Sequence, residues 1–215
     1  MLESFGVINV GTFILGAIGI MIAPGPNSLV VVSMASRFGK RAGVQGMAGV
    51  FLGDAILMTI ASAGAASAVA LNPDLFAVIV YLGAGYLSFL GLRVLISQVR
   101  PKKIVAGKPL PAAEGHFFWK ALLVALANPN TILFYLSFFM QFISPSHAGS
   151  IAPFIVLATI VETVSMSYLG LLVVAGATLA AFFRVRPLAV NLFKWALGLL
   201  FLGFGIRLLI GGLPG

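Results

Sequence analysis

The chain contains no cysteine, two histidines and only five acidic residues among 215 positions. Without cysteine, disulfides and thiolate metal centres are excluded, and an exporter of soft metal cations loses its natural ligands. His116 and His147 both fall in predicted loops, where a solvated ring is the ordinary reading. No imidazole remains inside an apolar segment to bind metal or carry a proton. Charge is scarce too. With 8% charged and 60% hydrophobic residues, the composition excludes a soluble domain and describes one membrane unit over residues 1–215. The N-terminus carries Glu3 and lacks both a basic stretch and a short apolar core with a cleavage site. The first apolar segment is therefore expected to stay in the mature protein. No hydrolase or peptidase motif surrounds the few carboxylates, which weighs against an intramembrane enzyme, and no cofactor is expected.

Apolar sequence is what the chain has in abundance. Runs at about 7–35, 43–70, 75–98, 117–143, 151–183 and 188–212 each exceed the ~20 residues of a spanning helix. They predict an all-α integral membrane protein with six transmembrane helices. The net charge of +8 reads as topology rather than as a nucleic-acid footprint. Lysine and arginine gather in the first connection (Arg37, Lys40, Arg41), the third (Arg100, Lys102, Lys103, Lys108, Lys120) and the fifth (Arg184, Arg186, Lys194). The N-terminal tail and the second and fourth connections have none. By the positive-inside rule, connections one, three and five are cytoplasmic and both termini lie outside.

Two helix-breaking stretches interrupt these runs, Ala23-Pro24-Gly25-Pro26-Asn27 and Ala127-Asn128-Pro129-Asn130. Each proline removes a donor and displaces the carbonyl four residues earlier. Pro24 and Pro26 are expected to free the carbonyls of Ile20 and Ile22, and Pro129 that of Ala125. Within a bilayer, freed carbonyls are tolerated only where protein, water or a ligand satisfies them. Paired breaks in the two halves of a membrane chain point to a binding site.

The halves also repeat. Tyr81–Ile96 and Trp195–Ile210 end in Gly-Leu-Arg-Val-Leu-Ile and Gly-Ile-Arg-Leu-Leu-Ile. The first and fourth spans share the proline breaks, and the second and fifth each hold one carboxylate, Asp54 and Glu162. Three spans per half make the halves insert with opposite topology. Repeat one then covers about 1–98, a Pro- and Gly-containing cytoplasmic linker about 99–116, and repeat two about 117–215.

Asp54 lies about eleven residues into its span, roughly 16 Å at 1.5 Å per residue, and Glu162 lies about as deep. An ionised carboxylate near the midplane costs at least ~2.5–3.5 kcal/mol, so such groups face a cavity, pair with a cation or carry a proton. Arg93 and Arg207 lie near span ends, where snorkelling is the better reading. A partnership with Asp54 or Glu162 stays open. Asn27, Ser28, Asn130 and Thr131 follow the breaks and are expected to cap the restarting half-helices, whose N–H groups favour an anion. A site offering half-helix N-termini for a carboxylate, and freed carbonyls with a midplane carboxylate for an ammonium, suits a zwitterion. The expected site comprises Pro24, Gly25, Pro26, Asn27, Ser28, Asp54, Asn128, Pro129, Asn130 and Glu162, with Asp54 and Glu162 as proton carriers.

Pro24-Gly25-Pro26-Asn27, Gly49-x-x-x-Gly53-Asp54 and Asn128-Pro129 together resemble the LysE/RhtB amino-acid exporters. The resemblance extends over essentially the whole chain. The stretch through Gly49–Ala55 and the segment Ser137-Phe138-Phe139-x-Gln141-Phe142-Ile143 look most like its leucine-efflux branch. It implies a bacterial inner-membrane exporter of neutral apolar amino acids such as leucine, driven by protons. One departure stands out: the family commonly has Asn-Pro-Lys where this chain has Asn128-Pro129-Asn130, which removes a cation from the site. A passive channel is the strongest rival reading, since inverted repeats with broken helices also build pores.

The orientation has a direct test, because the chain has no native cysteine to remove. In intact spheroplasts Lys102→Cys should resist an impermeant maleimide. Labelling of that residue from outside would invert the topology.

Overall fold

The computed structural model describes residues 2–22, 25–71, 73–99, 115–147, 149–184 and 187–211. Pro24 and most of the linker, Lys102 included, lie outside the described residues. Those residues form eight α-helices and short 3-10 turns, with a single antiparallel bridge, Val7 to Ile143, and no longer strand. The helices are α1 (Val10–Ile22), α2 (Pro26–Phe38), α3 (Lys40–Leu71), α4 (Pro73–Val99), α5 (Phe117–Leu126), α6 (Pro129–Phe139), α7 (Ala152–Arg184) and α8 (Pro187–Gly211).

Proline sets where several of them start. Helices α2, α4, α6 and α8 each begin on one (Pro26, Pro73, Pro129, Pro187), the position where a missing N–H costs nothing and φ is already helical. Both sequence breaks thus appear as helix restarts. The first apolar run becomes α1 and α2, bent by 54°, and the fourth becomes α5 and α6. On length and composition, Lys40–Ala65 and Ala152–Ala175 can each cross a membrane, and the bent α1–α2 pair makes a third candidate.

Glycine decides which helices touch. A Cβ on Gly49 would collide with the Phe118 carbonyl, and one on Gly53 would come within 2.6 Å of Ala125, so α3 lies directly on α5. A Cβ on Gly91 of α4 would lie 2.6 Å from the Leu202 nitrogen and 2.7 Å from the Gly198 oxygen of α8. One on Gly205 would lie 2.7 Å from the Ala84 oxygen and would strike Ser88. Numbers rise along one helix as they fall along the other, so α4 and α8 cross antiparallel. Aligning the two repeats pairs Gly91 with Gly205, Ala84 with Gly198 and Ser88 with Leu202. The two contacts therefore exchange when the halves are swapped. Helix α3 meets α7 in the same antiparallel sense, with Gly43 against Val173 and Gly170 near Met47.

One end of the bundle is closed by aromatic rings. Phe13 of α1 stacks on Phe138 of α6 at 5.1 Å, Phe138 stacks on Phe134 at 4.9 Å, and Phe142 meets Phe204 of α8 at 5.4 Å. Such pairs contribute about 0.5–1.5 kcal/mol each beyond their burial. The N-terminal segment clamps this end: Ile8 N–H donates to the Phe142 carbonyl and Ser144 N–H to that of Gly6, both at 2.8 Å.

Gly91→Ala should lower the stability of the folded protein by about 1–3 kcal/mol, since the obstructing atoms are backbone and cannot rotate away. Gly85→Ala, with open space around it, should be neutral or gain up to ~1 kcal/mol of helix propensity. Unfolding in mixed detergent micelles separates the two.

Candidate functional site

A cavity of about 400 Å³ lies where α2, α3, α4, α6, α7 and α8 converge. Each helix presents one face to it at helical spacing: Tyr86, Leu90, Arg93 and Val94 from α4, Thr131, Phe134 and Tyr135 from α6, Ser165, Tyr168 and Leu169 from α7. The first break contributes Gly25, Pro26, Asn27 and Ser28, the second contributes Asn128, and α3 contributes Asp54. The side chains of Pro129 and Asn130, like Pro24, lie outside what the structure describes.

The break at α2 is built differently from the sequence expectation. Gly25 is the residue that caps the helix, and Ser28 reaches back to it. The Ser28 hydroxyl accepts from the Gly25 N–H at 3.1 Å and donates to its carbonyl at 3.0 Å. Asn27 does not cap. Its amide Nδ2 donates to Asp54 Oδ1 at 3.4 Å, a long bond that ties the break to the carboxylate on α3. The second break is also tighter than expected. The Ala125 carbonyl, which Pro129 was expected to free, accepts from the Asn128 N–H at 3.3 Å. Thr131 N–H donates to the Asn128 carbonyl at 3.1 Å, so a 3-10 turn re-pairs the backbone that proline displaced.

Asp54 is 3% exposed, and the Tyr135 hydroxyl shares a hydrogen bond with it. Asn27 Oδ1 is buried with no partner in the protein. An unpaired buried acceptor costs about 1–3 kcal/mol, which makes this one a candidate contact for a ligand or a water.

Glu162 does not join this cavity. It lines a second one, of about 290 Å³, between α3 and α7, with Ala55, Met58, Thr59 and Ser62 on one side and Ala158 and Thr159 on the other. Glu162 is 8% exposed, and both its oxygens are buried without a partner. Asp54 and Glu162 nonetheless lie within electrostatic reach of each other and of Tyr135. Where α3 crosses α7, Asp54 and Ser165 border the larger cavity, and their helical neighbours Ala55 and Glu162 border the smaller. No described residue lines both, so the residues of the crossing divide the two linings.

Among the described residues no group of three or more His, Asp or Glu could hold a metal ion. Tyr135, Tyr86, Tyr168 and Ser165 were not foreseen as site residues. Thr131, set beside the second break, predicts Phe134 and Tyr135 one turn later on the same face.

Residues 18–212 match the model of the LysE type translocators. The chain belongs to the LysE family. Within it, the chain is 39% identical over 208 residues to the leucine efflux protein of Salmonella choleraesuis, covering 97% of this chain and 98% of the relative. It is 38% identical over 209 residues to the leucine efflux protein of an Enterobacter species, again covering 97% and 98%. An uncharacterized membrane protein of Pseudomonas aeruginosa is 39% identical over 210 residues, covering 96% and 97%. No solved structure matches. This LysE-family chain is thus a translocator by family and a membrane protein by composition.

This division makes a prediction about access. Leu90→Cys, on the larger cavity, should react with a small water-soluble methanethiosulfonate from one face of the membrane. Ser62→Cys, on the smaller cavity, should stay unmodified from that same face. Equal reaction of both from one face would mean that the two cavities are one.

Proposed function

We propose that this protein exports neutral apolar amino acids such as leucine across the bacterial inner membrane in exchange for protons, by alternating access to the larger cavity. The observation that carries the reading is the Asn27–Asp54 pair: both residues line a cavity of about 400 Å³, and Asn27 Oδ1 is buried without a partner. An acceptor without a donor next to an acidic group suits an ammonium. The volume falls in the range of small-molecule pockets, about 300–1,000 Å³. Leu90, Phe134, Leu197 and Phe201 supply an apolar wall for a side chain. Relatives named as leucine efflux proteins, matched over nearly their full length, support the substrate class.

In this reading six spans form two three-span repeats of opposite topology, with both termini outside. The antiparallel crossing of α4 and α8, and the way its glycine contacts exchange between repeats, support that arrangement. The larger cavity then faces the cytoplasm: Arg93 and Val94 lie toward the end of α4 that leads into the basic linker. The aromatic cluster seals the outer end. A passive pore needs a continuous path, and the separate linings of the two cavities, Asp54 on one and Glu162 on the other, favour a carrier.

Asp54 and Glu162 are the groups that can trade a proton for substrate charge as the site changes sides. Proteoliposomes test both halves of the reading. Wild-type protein should exchange labelled for unlabelled leucine with saturation, and absence of saturable exchange would refute a carrier. Asp54→Asn keeps shape and hydrogen bonding but cannot titrate. It should abolish accumulation driven by a pH gradient and leave residual downhill exchange. Undiminished pH-driven transport by Asp54→Asn would pass the proton role to Glu162.

A further inference from the structure

Among the described residues lining the larger cavity, Arg93 carries the only positive charge. It lies on α4 one face-turn from Leu90 and two from Tyr86, whose ring hydroxyl is within its electrostatic reach. Asp54 and Asn27, the acidic part of the lining, are on α3 and α2. The cavity is therefore bordered by an acidic group and a cationic group on different helices, with Leu90, Phe134 and other apolar side chains also in its wall.

The half-helix N-termini offer fewer N–H groups than their position suggests. At α2 the Gly25 N–H already serves the Ser28 hydroxyl and Pro26 has none, which leaves those of Asn27 and Ser28. At α6 Pro129 again has none, and the Thr131 N–H is committed to the Asn128 carbonyl. A guanidinium can meet both oxygens of a carboxylate at once, which no single N–H can do.

Snorkelling explains Arg93 less well than it explains its counterpart. Arg207 occupies the matching position of the second repeat, after the matching glycine, and both arginines are exposed, yet Arg207 lines neither cavity. An interfacial anchor would treat the two alike. Only the first-repeat arginine faces the larger cavity.

We propose that Arg93 holds the α-carboxylate of the substrate, so that the cavity selects intact amino acids over amines, amides and esters of the same side chain. The inference rests on the transport reading above, with Asp54 and Asn27 taking the ammonium. It assigns the opposite pole to a residue rather than to the helix ends.

The test measures leucine counterflow, and its inhibition by leucinamide, in proteoliposomes of wild type, Arg93→Gln, Arg93→Lys and Arg207→Gln. Arg93→Gln should raise the half-saturation concentration for leucine on the order of 10-fold or more, the usual loss for a charge-assisted contact. It should leave inhibition by leucinamide, which has no carboxylate, unchanged. Arg93→Lys should recover part of the leucine affinity, and Arg207→Gln should behave as wild type. Leucine- and leucinamide-induced thermal stabilisation in detergent should show the same split, which makes the result independent of transport rate. A parallel loss of both ligands in Arg93→Gln, or no loss of either, would overturn the assignment while leaving the carrier intact. If the wild type itself showed no saturable leucine exchange, both readings would fall together.

Discussion

Inside a bilayer, every backbone group and every carboxyl must find its partner within the protein or in what the protein carries. This chain places two helix breaks and two carboxylates in its apolar segments, and its fold is largely the answer to those four debts. Ser28 satisfies the Gly25 backbone, and a 3-10 turn satisfies Ala125. Asn27 turns from its own helix to reach Asp54, and Tyr135 arrives from α6 to do the same. Among the described residues, what stays unpaired is Asn27 Oδ1 on one side of the α3–α7 crossing, the two Glu162 oxygens on the other, and Gln141 Nε2 beyond α6.

That distribution separates two roles that a sequence reading merges. Asp54 borders a cavity with room for an organic ion and walls to receive an apolar chain. Glu162 borders a smaller space whose polar surface is chiefly hydroxyl. The carboxyls sense one another across the crossing while facing different compartments. Electrostatic influence of this kind needs no shared binding site.

Much of this was legible in the sequence because proline, glycine and charge are rare words in an apolar text. Pro26 and Pro129 marked the two restarts, and Asp54 was singled out as the carboxylate that Asn27 of the first break reaches. The internal repeat pointed to α4 and α8 as equivalent helices, and these two pack closely. The less legible residues depend on rotation of helices that are apolar all round. On such a helix no polar face announces which side is inward, so Arg93 read as an anchor and Tyr135 went unmarked. The capping role of Asn27 failed for a different reason. Asn27 prefers the strong acceptor that tertiary structure brings to it over the weak local one that its position offers.

The crossing of α4 and α8 has one more implication. Its glycine contacts are the same whichever half is taken first, Gly91 on Gly198 and Leu202, Gly205 on Ala84 and Ser88. A bearing of that kind is indifferent to direction: rolling one helix over the other meets like surfaces on either swing. Any asymmetry of the bundle then has to come from elsewhere, and the cavities supply it: Arg93 borders the larger one, while its counterpart Arg207 borders neither.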